Sequence, residues 1–252
     1  MILGAQLYTL RDFTKTPNEL SDTLKRVADI GYKTVQISST CEYNPDWLNQ
    51  RLNENGLKCV LTHFNPDKIK DSPAETVEFH NKFGCKNIGI GAVPGGLKND
   101  RDYDRFLSEF LPAAKEIYAL GSKFLFHNHF YEFVKSNNGK LFIERMIKDF
   151  SADELGFILD TYWVQYSGAD PAWWIRNLAG RVECVHLKDM AYTNTHIMTP
   201  VGYGNMNFNS IIKACEDSKT KYLLVEQDYC YDENPFECMT KSYNYLKSLG
   251  LD

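Results

Sequence analysis

Five times along the chain a helical run ends in glycine and an apolar strand begins within a few residues, at Gly31, Gly56, Gly84, Gly121 and Gly180. Glycine suits this place because the backbone leaves a helix through a left-handed turn that other residues resist. Joins this short, repeated between helices and strands, favour strands that run parallel with helices packed outside them. The spacing predicts strands at 2–8, 33–38, 57–63, 86–91, 123–129, 154–160, 181–190 and 221–226, and helices over 17–30, 45–55, 72–83, 100–120, 141–150, 171–178, 208–217 and 235–249. Leu20, Leu24, Val27 and Ile30 keep helical spacing in the first helix, which Pro17 opens. Eight of each, with no Pro/Ser-rich linker between them, predict one closed (β/α)8 TIM barrel over residues 1–252. An open doubly wound sheet competes, but the first strand runs into Tyr8-Thr-Leu-Arg-Asp-Phe13, which has no glycine to cradle a phosphate.

Charge and composition narrow the function. With 28 Lys+Arg against 33 Asp+Glu, the net charge of −5 disfavours a nucleic-acid partner, whose phosphates call for a basic face. The apolar runs are of strand length, and Met1-Ile-Leu-Gly4 enters a strand without a basic leader, so neither a membrane partner nor export is expected. Seven scattered cysteines without a Cys-x-x-Cys pair read as reduced thiols in a cytoplasmic protein. The 15 Tyr, 15 Phe and 4 Trp suit a homo-oligomer interface as well as a packed barrel.

The chemistry sits at the strand ends. His63, His127, Asp160, His186 and Glu226 each close an apolar run, and parallel strands would gather them at one mouth of the barrel. Because side chains alternate along a strand, His186 and Lys188 face the same way. Mixed imidazole and carboxylate donors suit a divalent cation, and the pattern does not choose among Mn, Co, Fe, Mg and Zn. Each residue also has a plainer reading: a strand-end His bonded within the core, a strand-end Asp capping the next helix.

Phe126-His-Asn-His-Phe-Tyr-Glu-Phe133, Leu159-Asp-Thr-Tyr-Trp-Val164 with Gly168-Ala-Asp-Pro171, Gly180-Arg-Val182, His186-Leu-Lys-Asp189, Val201-Gly-Tyr-Gly204 and Val225-Glu-Gln-Asp228 together resemble the sugar phosphate isomerase/epimerase family of xylose-isomerase-like TIM barrels. The resemblance covers nearly the whole chain. It implies a divalent metal at the ends of strands five to eight and a small polyhydroxylated substrate. Carried over by position, Asp160, His186 and Glu226 match the last three ligands, while His127 stands where many members have Glu. Members that epimerise free ketoses use two metal-binding carboxylates, of which this chain keeps Glu226. Glu132 is then a candidate second carboxylate, as acid/base or as a ligand, or a solvated loop charge.

Further candidates complete the expectation. Lys188 is a candidate catalytic and substrate-binding cation for a phosphate, carboxylate or enolate oxygen, or a structural partner of Asp160 or Glu226. His63 and His129 are candidate substrate or supporting groups, Trp163 a stacking surface for a sugar ring, and Trp173 and Trp174 helix packing. The expected function is a metal-dependent isomerase or epimerase moving a proton beside the carbonyl of a monosaccharide, keto-sugar or sugar phosphate. A β-eliminating dehydratase acting on a keto-sugar or a cyclitol such as an inosose shares its first step. A non-catalytic sugar-binding barrel and a DNA-repair endonuclease are the readings from other classes, the latter disfavoured by charge.

Overall fold

A computed structural model describes residues 1–251. Eight parallel strands close into a barrel: β1 (Ile2–Gln6), β2 (Thr34–Ile37), β3 (Lys58–His63), β4 (Asn87–Ile90), β5 (Lys123–His127), β6 (Gly156–Asp160), β7 (Cys184–Leu187) and, after a hairpin of β8 (Asp189–Tyr192) and β9 (His196–Thr199), β10 (Tyr222–Val225). β10 pairs with both β7 and β1, which completes the circle. The helices are α1 (Pro17–Ile30), α2 (Pro45–Glu54), α3 (Pro66–Asp71), α4 (Pro73–Asn81), α5 (Asp100–Ala119), α6 (Phe142–Asp149), α7 (Thr161–Tyr166), α8 (Pro171–Asn177), α9 (Phe208–Asp217) and α10 (Pro235–Ser248). The five glycines that end helices in the sequence all have positive φ, from +63° at Gly56 to +121° at Gly31.

The expected closed barrel is present, with local differences. The run at 181–190 is not one strand: it breaks at Lys188, after which Asp189 starts the hairpin. Asp189 holds that excursion together, its Oδ2 accepting the Gly202 and Gly204 N–H groups at 2.9 and 3.0 Å. Two short helices, α3 and α7, were outside the expected pattern, because six-residue helices leave little periodicity to read. Trp174 packs edge-on against Phe133, whereas Trp173 is 54% exposed. Adjacent helix residues point about 100° apart, so the core receives one of the two.

Two apolar layers hold the barrel. The larger lies between strands and helices and includes Phe106, Phe110, Phe124, Phe126 and Phe150. The smaller, Val60, Leu61, Leu125, Ile158, Cys184 and Leu224, fills the barrel below the strand ends. This plug is tight: a Cβ on Gly89 would lie 2.6 Å from the Thr62 carbonyl oxygen and 2.9 Å from Ile158 Cδ1. A backbone carbonyl in a paired strand cannot move aside cheaply. Gly89→Ala is therefore expected to destabilise the fold by about 1–3 kcal/mol. A chemical-denaturation midpoint equal to that of the parent protein would contradict that close packing.

Candidate active site

The strand ends carry their side chains to one polar cavity of about 340 Å³ at the C-terminal mouth. Its walls include Gln6, Tyr8, Ser38, His63, His127, His129, Trp163, Lys188, Glu226 and Asp228. At its floor, one donor atom from each of His127, Asp160, His186 and Glu226 lies within 4.8 Å of the other three, and all four residues are buried. A larger cavity of about 790 Å³ opens at the opposite mouth among Lys58, Lys86, Lys123 and Lys221. Among the described residues, no such gathering of donors lies there.

The four donors are aimed by their neighbours. His127 Nδ1 lies 3.0 Å from the Gly91 carbonyl, which places its proton there and turns Nε2 toward Asp160 Oδ2 at 3.2 Å. His186 Nε2 lies 2.6 Å from Gln36 Oε1, so its Nδ1 lone pair faces the cluster. Such outer bonds fix the tautomer and ring orientation that a metal-binding imidazole needs. Asp160 Oδ1 accepts the Trp163 N–H at 3.0 Å and caps α7, as the plainer expectation had it, while Oδ2 faces the cluster. Its backbone N–H donates to Asn128 Oδ1 at 3.0 Å. Glu226 stands one residue beyond the end of β10, and Gln6 Nε2 donates to its Oε1 at 3.0 Å, leaving Oε2 inward.

His186 Nδ1 and Glu226 Oε2 lie 2.9 Å apart, yet neither completes a hydrogen bond. Two lone pairs so placed repel unless positive charge lies between or beside them. Lys188, 1% exposed, supplies some of it: Nζ is 2.9 Å from Asp160 Oδ2, 3.0 Å from Glu226 Oε2 and 2.9 Å from Asp228 Oδ1. Three carboxylates against one ammonium leave a formal charge of −2, which a divalent cation would balance. Donor set, lone-pair direction and charge all fit such an ion.

The local fields differ sharply between neighbours. Burial opposes ionisation of Asp160, but Lys188 and His127 outweigh it and hold the carboxyl down at about 2. Burial also opposes charge on Glu226, yet the Lys188 ammonium outweighs it and brings the carboxyl well below its ordinary value. Burial lowers the imidazole pKa of His186 and His63. At His127 burial acts the same way, but Asp160 outweighs it and raises the imidazole. Burial, then Glu226, pushes Asp228 up to about 6.

Of the other expected residues, His63, His129 and Trp163 all reach the cavity. Ser38 Oγ lies 3.2 Å from His63 Nδ1, and His63 Nε2 is buried without a partner. His129 Nδ1 meets the Tyr131 hydroxyl at 3.0 Å, and its ring lies 5.5 Å from Trp163. Glu132 is set apart from the cavity wall: it is fully buried, and its Oε2 accepts the His129 N–H at 2.7 Å. Trp173 and Trp174 lie outside the cavity. Sequence reading did not single out Asp228, Gln36 or Gln6. For Asp228 a signal was present, since it follows Glu226 at i+2, where an extended backbone returns the side chain to the same face. For the glutamines there was none, because an amide inside a strand has no chemical signature without its partner.

A sequence profile described as the xylose isomerase-like TIM barrel matches residues 24–249. The chain is 28% identical to an inosose dehydratase from Clostridium perfringens over 91% of its own length and 90% of that protein's. It is 21% identical to an inosose dehydratase from Geobacillus kaustophilus, with 67% of this chain covering 61% of that one. Among solved structures it resembles a sugar phosphate isomerase/epimerase from Parabacteroides distasonis, with 22% identity, a TM-score of 0.82, and coverage of 98% of this chain and 93% of that one. The last likeness is one of fold. With its closed eight-stranded barrel and a profile match across most of its length, the chain belongs to the xylose isomerase-like TIM barrel family.

Proposed function

We propose that this protein is a divalent-metal-dependent enzyme that moves a proton next to the carbonyl of a small polyhydroxylated substrate, with isomerisation or epimerisation of a sugar as the direct outcome. One observation carries the reading: a buried cluster of formal charge −2, its lone pairs converging, opens on a polar cavity of sugar size. His127, Asp160, His186 and Glu226 would hold the ion, which when bound supplies Lewis acidity to polarise the substrate carbonyl.

The remaining work falls to side chains of the chain itself. Lys188 is an ammonium on the cavity wall and is suited to meet negative charge growing on a substrate oxygen as the α-proton leaves. Glu226 and Asp228 flank it and are the carboxylates within the cavity that can accept and return a proton. His63 Nε2, without a partner, is suited to a substrate hydroxyl. Trp163 offers an aromatic surface to a sugar ring. Glu132, bound to the His129 N–H and off the wall, suits a positioning role for the His127-Asn128-His129 turn. Within this reading the protein works without nucleic acid or membrane, and among the described residues no helix is long and apolar enough to cross a membrane.

A second reading has its own support. β-Elimination starts from the same enediolate and differs in the departure of a β-hydroxyl, and two relatives are named inosose dehydratases. Proton NMR of product formed in D₂O separates the two: deuterium at the α-carbon with every hydroxyl retained is expected for isomerisation. Loss of water would transfer the reading to a dehydratase, and an unchanged substrate across keto-sugars and inososes would remove both.

Elemental analysis of the purified protein should find about one divalent ion per chain, absent from Asp160→Ala. Equal metal content in parent and variant would break the ligand assignment. Glu132 provides a pH test. Burial raises its carboxyl from 4.5 to about 8, against the N–H groups that favour ionisation. Between those values the unfolded chain has released the proton and the folded chain retains it, so stability falls as pH rises through the window and levels above 8. Urea unfolding at pH 5 and pH 8 should show parent stability dropping more than that of Glu132→Gln, by on the order of a few kcal/mol. Parallel pH dependence would mean that Glu132 is ionised throughout.

A further inference from the structure

The catalytic cavity does not end at His63. A second cavity of about 360 Å³ adjoins it, and Ser38, Ser39 and His63 line both. The second lobe lies over the loops that follow β2 and β3. Its aromatic lining is made by Tyr43, Phe64 and Phe79, all half-buried, the first two each packed against Phe79 with ring centroids 5.8 Å apart for Tyr43–Phe79 and 5.4 Å for Phe64–Phe79. Ser39, Thr40 and Asn65 add polar groups to its wall.

We infer that this lobe holds a second, neutral sugar ring, so that the substrate is a disaccharide or similar glycoside with its reacting ring in the metal-side cavity. The inference rests on the sugar reading proposed above and deepens it. A phosphate is the obvious competitor, and the lobe is poorly made for one. Its charged lining residues are one cation, Lys68, and one anion, Glu42. The helix that starts beside it, α3, has its leading N–H groups taken: Asn65 Oδ1 accepts those of Asp67 and Lys68 at 2.8 and 3.3 Å. Asn44 does the same at the start of α2 for Asp46 and Trp47, at 2.9 and 3.2 Å. Both helix ends, which otherwise attract anions, are closed by their own caps.

What the lobe offers is an apolar ring face beside hydroxyl and amide groups, and a pyranose presents the complementary surfaces: a C–H face and a rim of hydroxyls. Ser39 sharpens the point. Its φ of +53° lies in the left-handed region, which glycine adopts with less strain, so a serine there keeps a hydroxyl on the wall common to both lobes. His63 Nε2, buried and without a partner, lies at the same junction, where a glycosidic oxygen or flanking hydroxyl would pass.

The test is calorimetric binding to the full-length protein with added Mn²⁺. Probes are glucose, galactose, maltose, cellobiose, lactose, trehalose, glucose 6-phosphate and fructose 6-phosphate. At least one disaccharide is expected to bind about tenfold more tightly than its constituent monosaccharides. That ratio should fall toward one in Phe64→Ala and in Ser39→Gly, the second of which relieves backbone strain and so keeps its fold. Tightest binding by a phosphorylated monosaccharide, or disaccharides that bind no better than monosaccharides, would overturn the second-ring inference and leave the sugar reading in place. A preference that survives both substitutions would place the second ring elsewhere and equally overturn it. No binding by any of these sugars would count against the sugar reading itself, and against the second lobe with it.

Discussion

Lys188 is buried among Asp160, Glu226 and Asp228, within 3.0 Å of all three. Taking that many charges out of water is costly, and in the interior their mutual attraction offsets the cost only when the geometry is good. The barrel provides the geometry. β6 ends on Asp160, β7 leads into Lys188, and β10 leads into Glu226 and Asp228, so three strand ends meet around one nitrogen. With a single ammonium the cluster still carries excess negative charge, and this residue of charge is what makes the site fit for a divalent cation and a polar substrate.

The supports of the cluster lie in strands remote in sequence. Gln36 on β2 orients His186, Gln6 on β1 holds Glu226, and the Gly91 carbonyl beyond β4 orients His127. Each uses one hydrogen bond to settle which atom faces the centre. Below them the apolar plug of Leu61, Leu125, Ile158 and Leu224 keeps water from the barrel interior, so the charges above are weakly screened and strongly felt. That is why neighbouring groups diverge, with Asp160 held at about 2 and Asp228 pushed to about 6.

Much of this is legible in the sequence. A glycine after five of the helices and an apolar run beyond each predicted the barrel, and the His, Asp and Glu closing such runs predicted which mouth gathers the donor cluster. His127, Asp160, His186 and Glu226 converge because strand ends in a closed parallel barrel have no other place to go. The hairpin after β7 was not legible, because Asp189 continues an apolar run whose break depends on backbone groups of Gly202 and Gly204. Glu132 had a motif but no position, since a loop carboxylate can turn outward to water or inward to a backbone N–H, and the local sequence does not choose.

The sequence by itself determined the periodicities, hence the eight barrel strands, the longer helices, their order and the parallel closure, because these follow from local backbone preference and the need to bury one face of each element. It also determined which strand ends carry donors. Only the tertiary structure decided the tautomers of His127 and His186, the sharing of Lys188 among three carboxylates, and the joining of two cavities at His63. These depend on distances between residues up to 220 positions apart, as for Gln6 and Glu226, and such distances exist only once the barrel has closed.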